Sequence, residues 1–204
     1  MRRFLYSFLL MVLCALPAQA ALPYYNADLG YTIWLAEGWT EVPNADLSRF
    51  DGFRDGVSAY MTGWEAGYVM AGETQAELLV SELHGRVISK QGIANFNRFV
   101  VRELEKASRK AGREGCARLR SARFDSQRNF LRLEMDSTMC GGEAVTSVVY
   151  IVYTSTGMLK FSGLASQGDT GAVRAIDAAV ATLYLDYGLR QECEPKGVSL
   201  ARSF

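Results

Sequence analysis

Ala144 to Thr154 constrains this chain more than any other stretch. In an extended segment Val145, Val149, Ile151 and Tyr153 fall on one face and Val148, Tyr150 and Val152 on the other, so both faces are apolar. A strand of that kind belongs inside a sheet with a cover on each side. Ser155-Thr156-Gly157 turns it into a second apolar strand, Met158 to Ala165. The loop Ser166 to Thr170 then leads to a helix from Gly171 to about Asp186. Val173, Ile176, Val180 and Leu183 form its stripe, with Ala179 beside it.

The elements before this strand are read outward from it. Cys116 to Phe124 and Asn129 to Asp136 flank a turn at Asp125-Ser126-Gln127-Arg128. In the second of them Leu131, Leu133 and Met135 alternate with Arg132, Glu134 and Asp136, the pattern of a half-exposed strand. A helix follows Gly92: Ile93, Phe96, Val100, Leu104, Ala107 and Ala111 recur at helical spacing, and Gly112 ends it after Arg109 and Lys110. A further helix is predicted from Thr74, where Glu77 stands at capping-box spacing and Leu78, Leu79 and Leu83 make a stripe. Val57 to Trp64 and Gly67 to Ala71 read as short strands. Gly30 to Pro43 reads as a tight hairpin turning at Glu37-Gly38. In that register Ile33 opposes Val42 and Trp34 opposes Glu41, which puts Trp34 and Trp39 together on the face away from Tyr31, Ile33 and Leu35. Asn44 to Gly56 is polar and carries the turn signals Asp51-Gly52 and Asp55-Gly56.

The first twenty residues read as a secretory signal peptide rather than as part of the fold. Arg2 and Arg3 precede an apolar run from Phe4 to Leu16, and Pro17 stands ahead of an Ala18-Gln19-Ala20 cleavage site. That run is short for a bilayer span, which needs ~20 residues. Cleavage after Ala20 leaves 184 of the 204 residues, a single domain over 21–188 with an irregular tail over 189–204. It also leaves 20 basic against 22 acidic residues, a balance that does not suggest a nucleic-acid partner. No other apolar run is long enough to span a bilayer, and the expected location is the periplasm or cell envelope. Of Cys116, Cys140 and Cys193, the first two meet at one end of the predicted hairpin, so a Cys116–Cys140 disulfide is expected.

With the elements in this order, the chain resembles the PsbP-like superfamily, which includes the oxygen-evolving-complex PsbP and the bacterial DcrB-type exported proteins. The resemblance rests on Gly30-Tyr31-Thr32-Ile33 followed by Leu35-Ala36-Glu37-Gly38-Trp39, on a helical insertion before a long antiparallel meander, and on a final strand and helix. It spans about residues 24 to 188. Ala36 stands where the family usually has proline, the lipobox common in bacterial members is missing, and the tail is additional. The resemblance implies an α+β fold, an α/β/α sandwich with helices on both faces of an antiparallel sheet. It also implies an assembly factor, subunit or adaptor, and it supplies no catalytic motif.

Motifs for chemistry are sparse. His84 is the single histidine and reads as an ordinary helix-surface residue. There is no nucleophile elbow, phosphate loop, dinucleotide fingerprint or close cysteine–histidine spacing, so no cofactor or metal is expected. Arginines cluster from Arg113 through Arg118, Arg120, Arg123 and Arg128 to Arg132, read as a solvated sheet face or edge, with docking of an anionic partner as the rival. Aromatic residues concentrate early: ten of the mature chain's 20 lie between Tyr24 and Tyr68, including all three tryptophans. Trp34, Trp39, Tyr60, Trp64 and Tyr68 are therefore the candidate binding residues. The expected function is a non-catalytic binding or assembly module with an envelope protein partner or a small apolar ligand. The alternatives are a small periplasmic hydrolase with an unrecognised site and a carrier of a small apolar ligand.

Overall fold

The computed structural model describes residues 21–51, 63–83, 87–111, 117–138 and 144–186. In chain order the elements are β1 (Leu22–Asn26), β2 (Tyr31–Leu35), β3 (Trp39–Glu41), a 3₁₀ helix (Asn44–Phe50), β4 (Ala66–Met70), β5 (Ala76–Leu83) and α1 (Lys90–Ala111). There follow β6 (Ala117–Asp125), β7 (Phe130–Thr138), β8 (Ala144–Tyr153), β9 (Met158–Ser166), α2 (Thr170–Ala181) and β10 (Tyr184–Leu185). Seven strands form one antiparallel sheet in the order β3-β4-β5-β9-β8-β7-β6, and β1-β2-β10 form a second.

The two apolar faces of β8 each receive the cover they require. On one side α1 lays Ile93 and Leu104 over Leu131, Leu133, Val149 and Ile151. On the other, Ile176, Ala179 and Val180 of α2 and Tyr31, Ile33 and Leu35 of β2 close over Val148, Tyr150, Val152 and Phe161. The architecture is thus an α+β sandwich with a helix on each face of an antiparallel sheet, and the small sheet beside α2 completes its layer. A third cluster, Val42, Leu47, Phe50, Leu79 and Leu164, seals the α1 side beneath the 3₁₀ helix.

Two expected elements are different in the structure. Gly30 to Pro43 is not a hairpin: β2 pairs with β1 and β10, whereas β3 pairs with β4, Trp39 standing opposite Met70. The chain turns at Ala36–Gly38, with Gly38 at φ 94°, and passes from the small sheet to the large one. Tyr31, Ile33, Leu35 and Trp39 all need burial in the same core, and a corner between stacked sheets buries them together. The segment from Thr74 is a strand rather than a helix. Leu78 and Leu79 fit either period, but β4 and β9 both carry backbone groups that only an intervening strand can pair. As a strand, Ala76, Leu78 and Val80 face α2 while Leu79 and Leu83 face the α1 side, all buried.

The predicted strand at Val57 to Trp64 falls mostly outside the described residues, as do Tyr60, His84, Cys116, Cys140 and Cys193 with the expected disulfide.

Helix α2 packs directly onto the backbone of the sheet at Gly163, which is paired with Leu78 on one side and Val148 on the other. A Cβ there would lie 2.4 Å from Ile176 Cγ2 and 2.9 Å from Ile176 Cδ1. Gly163→Ala is expected to destabilise the fold by about 1–3 kcal/mol through overpacking. Combined with Ile176→Ala, the loss should be smaller than the sum of the two single changes, measured by chemical denaturation.

Candidate binding surfaces

The aromatic residues singled out in the sequence do not form one surface. Trp39 is 4% exposed and Tyr68 1%, both in the core between the sheets, so neither is available to a partner. Two causes place them there: the corner after β2, and the position of β4 beneath the small sheet. Tyr68 shares a 2.9 Å hydroxyl hydrogen bond with Tyr31, and its ring meets that of Tyr24 edge-on at 5.4 Å. Trp64 lies on the opposite face of the large sheet, its Nε1 donating to the Phe50 carbonyl at 3.1 Å and its ring 4.9 Å from Lys160 Nζ.

Trp34 alone of the described candidates faces outward, 38% exposed. Its cross-strand partner is Pro23, and two residues along Thr32 lies between Tyr25 and Tyr184. Cross-strand partners share a face, so Pro23, Tyr25, Trp34 and Tyr184 make up the outer side of the small sheet. Tyr25 is 62% exposed and Tyr184 59%. Thr182, just past α2, anchors this strand: its hydroxyl accepts from Trp34 N at 2.9 Å and lies 3.0 Å from the Trp34 carbonyl oxygen. The contribution of Tyr184 depends on β10, a two-residue strand too short to leave a signal in the sequence.

A second surface arises where β6 and β7 extend past α2. Arg132, Glu134 and Tyr150 project from the α2 side of the sheet because they alternate with Leu131, Leu133 and Val149, which face α1. Asp177 follows Ile176 in α2 and meets them. Arg132 Nε donates to Asp177 Oδ1 and Nη2 to Oδ2, both at 3.0 Å, a bidentate pair. Its Nη1 donates to Glu134 Oε2 at 3.0 Å, and the Tyr150 hydroxyl donates to Asp177 Oδ1. Burial alone works against the Arg132 charge, but the bonds to Asp177 and Glu134 outweigh it and keep the guanidinium protonated. Burial, then the bond and charge of Asp177, push the Tyr150 phenol well above its ordinary range.

Arg123 faces Arg132 across the β6–β7 pair, in the register that the turn after Asp125 sets, and a bulge between Leu119 and Ser121 displaces only the pairs beyond it. Arg120 donates from Nε to Asp136 Oδ2 at 2.6 Å. Arg128, held in a turn by two backbone bonds to Asp125 Oδ1, donates from Nη1 to the Ala181 carbonyl at the C-terminal end of α2, at 3.1 Å. These groups and Phe130 border an open cleft of about 360 Å³. Arg123 forms no ion pair among the described residues, and the Arg128 bond goes to a neutral carbonyl, so the cleft carries excess positive charge. The sequence pointed to the arginines but not to Asp177, Glu134 or Tyr150, because their partnership depends on where α2 crosses the sheet.

Removing the Asp177 carboxylate leaves a mostly buried guanidinium with Glu134 as its one remaining carboxylate, so Asp177→Ala is expected to cost about 1–3 kcal/mol by chemical denaturation. The buried tyrosines also give stability a pH limit. Burial is the main cause raising Tyr68 from 10.0 to about 12, and Tyr31 rises further still. The unfolded chain loses these protons near pH 10 while the fold retains them. Stability is therefore full below pH 10 and falls as pH rises from 10 towards 12. A melting series across that range should show the decline, and it should be shallower in the Tyr31→Phe, Tyr68→Phe double variant.

No protein-family model matches this chain, and no curated protein does. Several solved structures are similar to it. Cyanobacterial PsbP from Synechocystis is 11% identical, with 84% of this chain and 95% of that one covered and a TM-score of 0.48. A protein from Bacteroides thetaiotaomicron is 15% identical over 85% of this chain and 50% of its own, also at 0.48. A protein of unknown function from Pseudomonas aeruginosa is 13% identical over 79% and 94%, at 0.40.

Proposed function

We propose that this chain is an exported, non-catalytic binding module of the bacterial periplasm or envelope, of the PsbP-like superfamily and the DcrB type. In this reading it docks a protein partner on the outer face of the small sheet. The observation that carries it is the exposed set of Tyr25, Trp34 and Tyr184 on a sheet whose inner face is already committed to the core. Large aromatic side chains supply most of the binding energy at protein interfaces, and a grouped exposed patch of them calls for a partner. The signal-peptide pattern of residues 1–20 and the Gly30-to-Trp39 motif support the compartment and the family type. The state of the cleft supports a non-catalytic role: Arg132 and Asp177 satisfy one another, and Tyr150 holds its proton to high pH.

The test uses the mature protein as bait on a bacterial envelope extract, with bound species identified by native mass spectrometry. Trp34→Ala and Tyr25→Ala should each weaken capture of the partner by about tenfold or more, about 1.4 kcal/mol. Their melting temperatures should stay within a few degrees of wild type, because these side chains are exposed. Undiminished capture by the double variant overturns the reading.

A further inference from the structure

The large sheet ends in β6, and β6 has a groove along each of its faces. On the α2 side lies the cleft of Arg123, Arg128 and Arg132. On the α1 side Ala122 and Phe124 border a mainly apolar groove with Val101 and Leu131, rimmed by Arg98, Arg102 and Glu105. Phe124 is 42% exposed there. At the foot of the same groove Asn97 is only 7% exposed, and its Nδ2 has no acceptor among the described residues, while its Oδ1 accepts from the Tyr153 hydroxyl.

The backbone between these grooves is open. The Asn129 carbonyl accepts from Tyr153 N at 3.0 Å, so alternation turns Leu131 and Leu133 towards β8, and Arg132 and Glu134 towards β6. Their neighbours opposite Leu131 and Leu133 are Phe124 and Ala122, which by the same alternation direct N–H and C=O away from the sheet. Earlier in β6 the edge is closed: Leu119 N donates to Ser108 Oγ of α1 at 2.9 Å, and the bulge at Arg120 interrupts the ladder. From Ser121 to Asp125 neither a bulge nor a side-chain bond to the outward backbone groups occurs among the described residues.

We propose that Ser121–Asp125 is a docking edge for an extended peptide segment in which acidic and apolar residues alternate. A strand added here sends successive side chains to opposite faces. Carboxylates on one side meet Arg123 and Arg128, whose charges are uncompensated. Apolar side chains on the other lie against Phe124, and one with an acceptor at its tip, such as tyrosine, reaches Asn97 Nδ2. A second copy of this chain fits poorly, since pairing β6 with β6 sets arginine-bearing strands against each other. This site is separate from the aromatic face of the small sheet and stands or falls without it.

The probe is a blocked octapeptide of alternating Glu and Tyr, compared with one of the same composition in two blocks. The alternating peptide should bind the mature protein saturably by isothermal titration, weaken with added salt, and bind about tenfold or more tighter than the block peptide. Arg123→Glu and Phe124→Ala should each weaken it about tenfold. Ala122→Pro, which removes an outward N–H and leaves both grooves in place, should abolish it. Hydrogen exchange should slow at the Ala122 and Phe124 amides in the complex. Equal affinity for the two peptides, wild-type binding by a folded Ala122→Pro protein, or no binding of the alternating peptide overturns the proposal. So does a concentration-dependent dimer that Ala122→Pro dissolves. If Ala122→Pro does not fold, Phe124→Ala and the exchange at the two amides decide.

Discussion

Where Gly163 leaves the sheet bare, Ile176 of α2 occupies the space that a side chain would take. That contact sets how deep α2 sits, and much else is measured from it. The next residue, Asp177, reaches Arg132 with both oxygens. One turn later the Ala181 carbonyl meets Arg128, and then Thr182 hydrogen-bonds both the N–H and the C=O of Trp34. A helix held a few ångströms higher would loosen the arginine cleft and the small sheet together. The N-terminal end is fixed as well, Asp169 accepting from Ala172 N at 2.9 Å.

The two surfaces put different physics to use. The outer face of the small sheet offers aromatic area and little charge. The β6 region offers charge on one side and apolar surface on the other, with backbone groups between them. Within the cleft, opposite charges are spent on each other at the floor, where Arg132 is nearly enclosed, and left over at the mouth, where Arg123 and Arg128 are exposed. That arrangement avoids the high cost of an unpaired charge in a partly dry site while keeping attraction where water still reaches.

The sequence was most informative where a single periodicity was consistent with the surroundings. The two-faced apolar pattern of Ala144 to Thr154, the alternation of Leu131 to Met135 and the stripes of both helices led to the right elements, although the last helix ends at Ala181 rather than near Asp186 and Leu183 lies past it. It misled where local signals allowed two answers. Leu78, Leu79 and Leu83 fit a helix as well as a strand, and only the unpaired edges of β4 and β9 decide between them. Glu37-Gly38 is a good hairpin turn, but a turn signal does not say whether the chain returns to the same sheet. Short strands such as β10 and the bulge in β6 leave almost no compositional trace. The arginines were visible, whereas Asp177 and the Ala181 carbonyl, which hold Arg132 and Arg128, come from a helix more than forty residues away.

Lys160 is fully buried in β9, beside Ser162 and opposite Ser81, the one buried ammonium among the described residues of a mainly apolar sheet. Strands apolar on both faces have little to tell one alignment from the next, because a slip by one residue exchanges one oily face for another. Here such a slip would swing an ammonium group out from under Trp64 and into the layer now held by Phe161, Tyr31 and Ile176. The cost of that misplaced charge weighs against every odd-numbered slip of β9 against β5 and β8. A residue that looks like a blemish in the apolar centre therefore acts as an alignment mark for the strands that the rest of the molecule is built around.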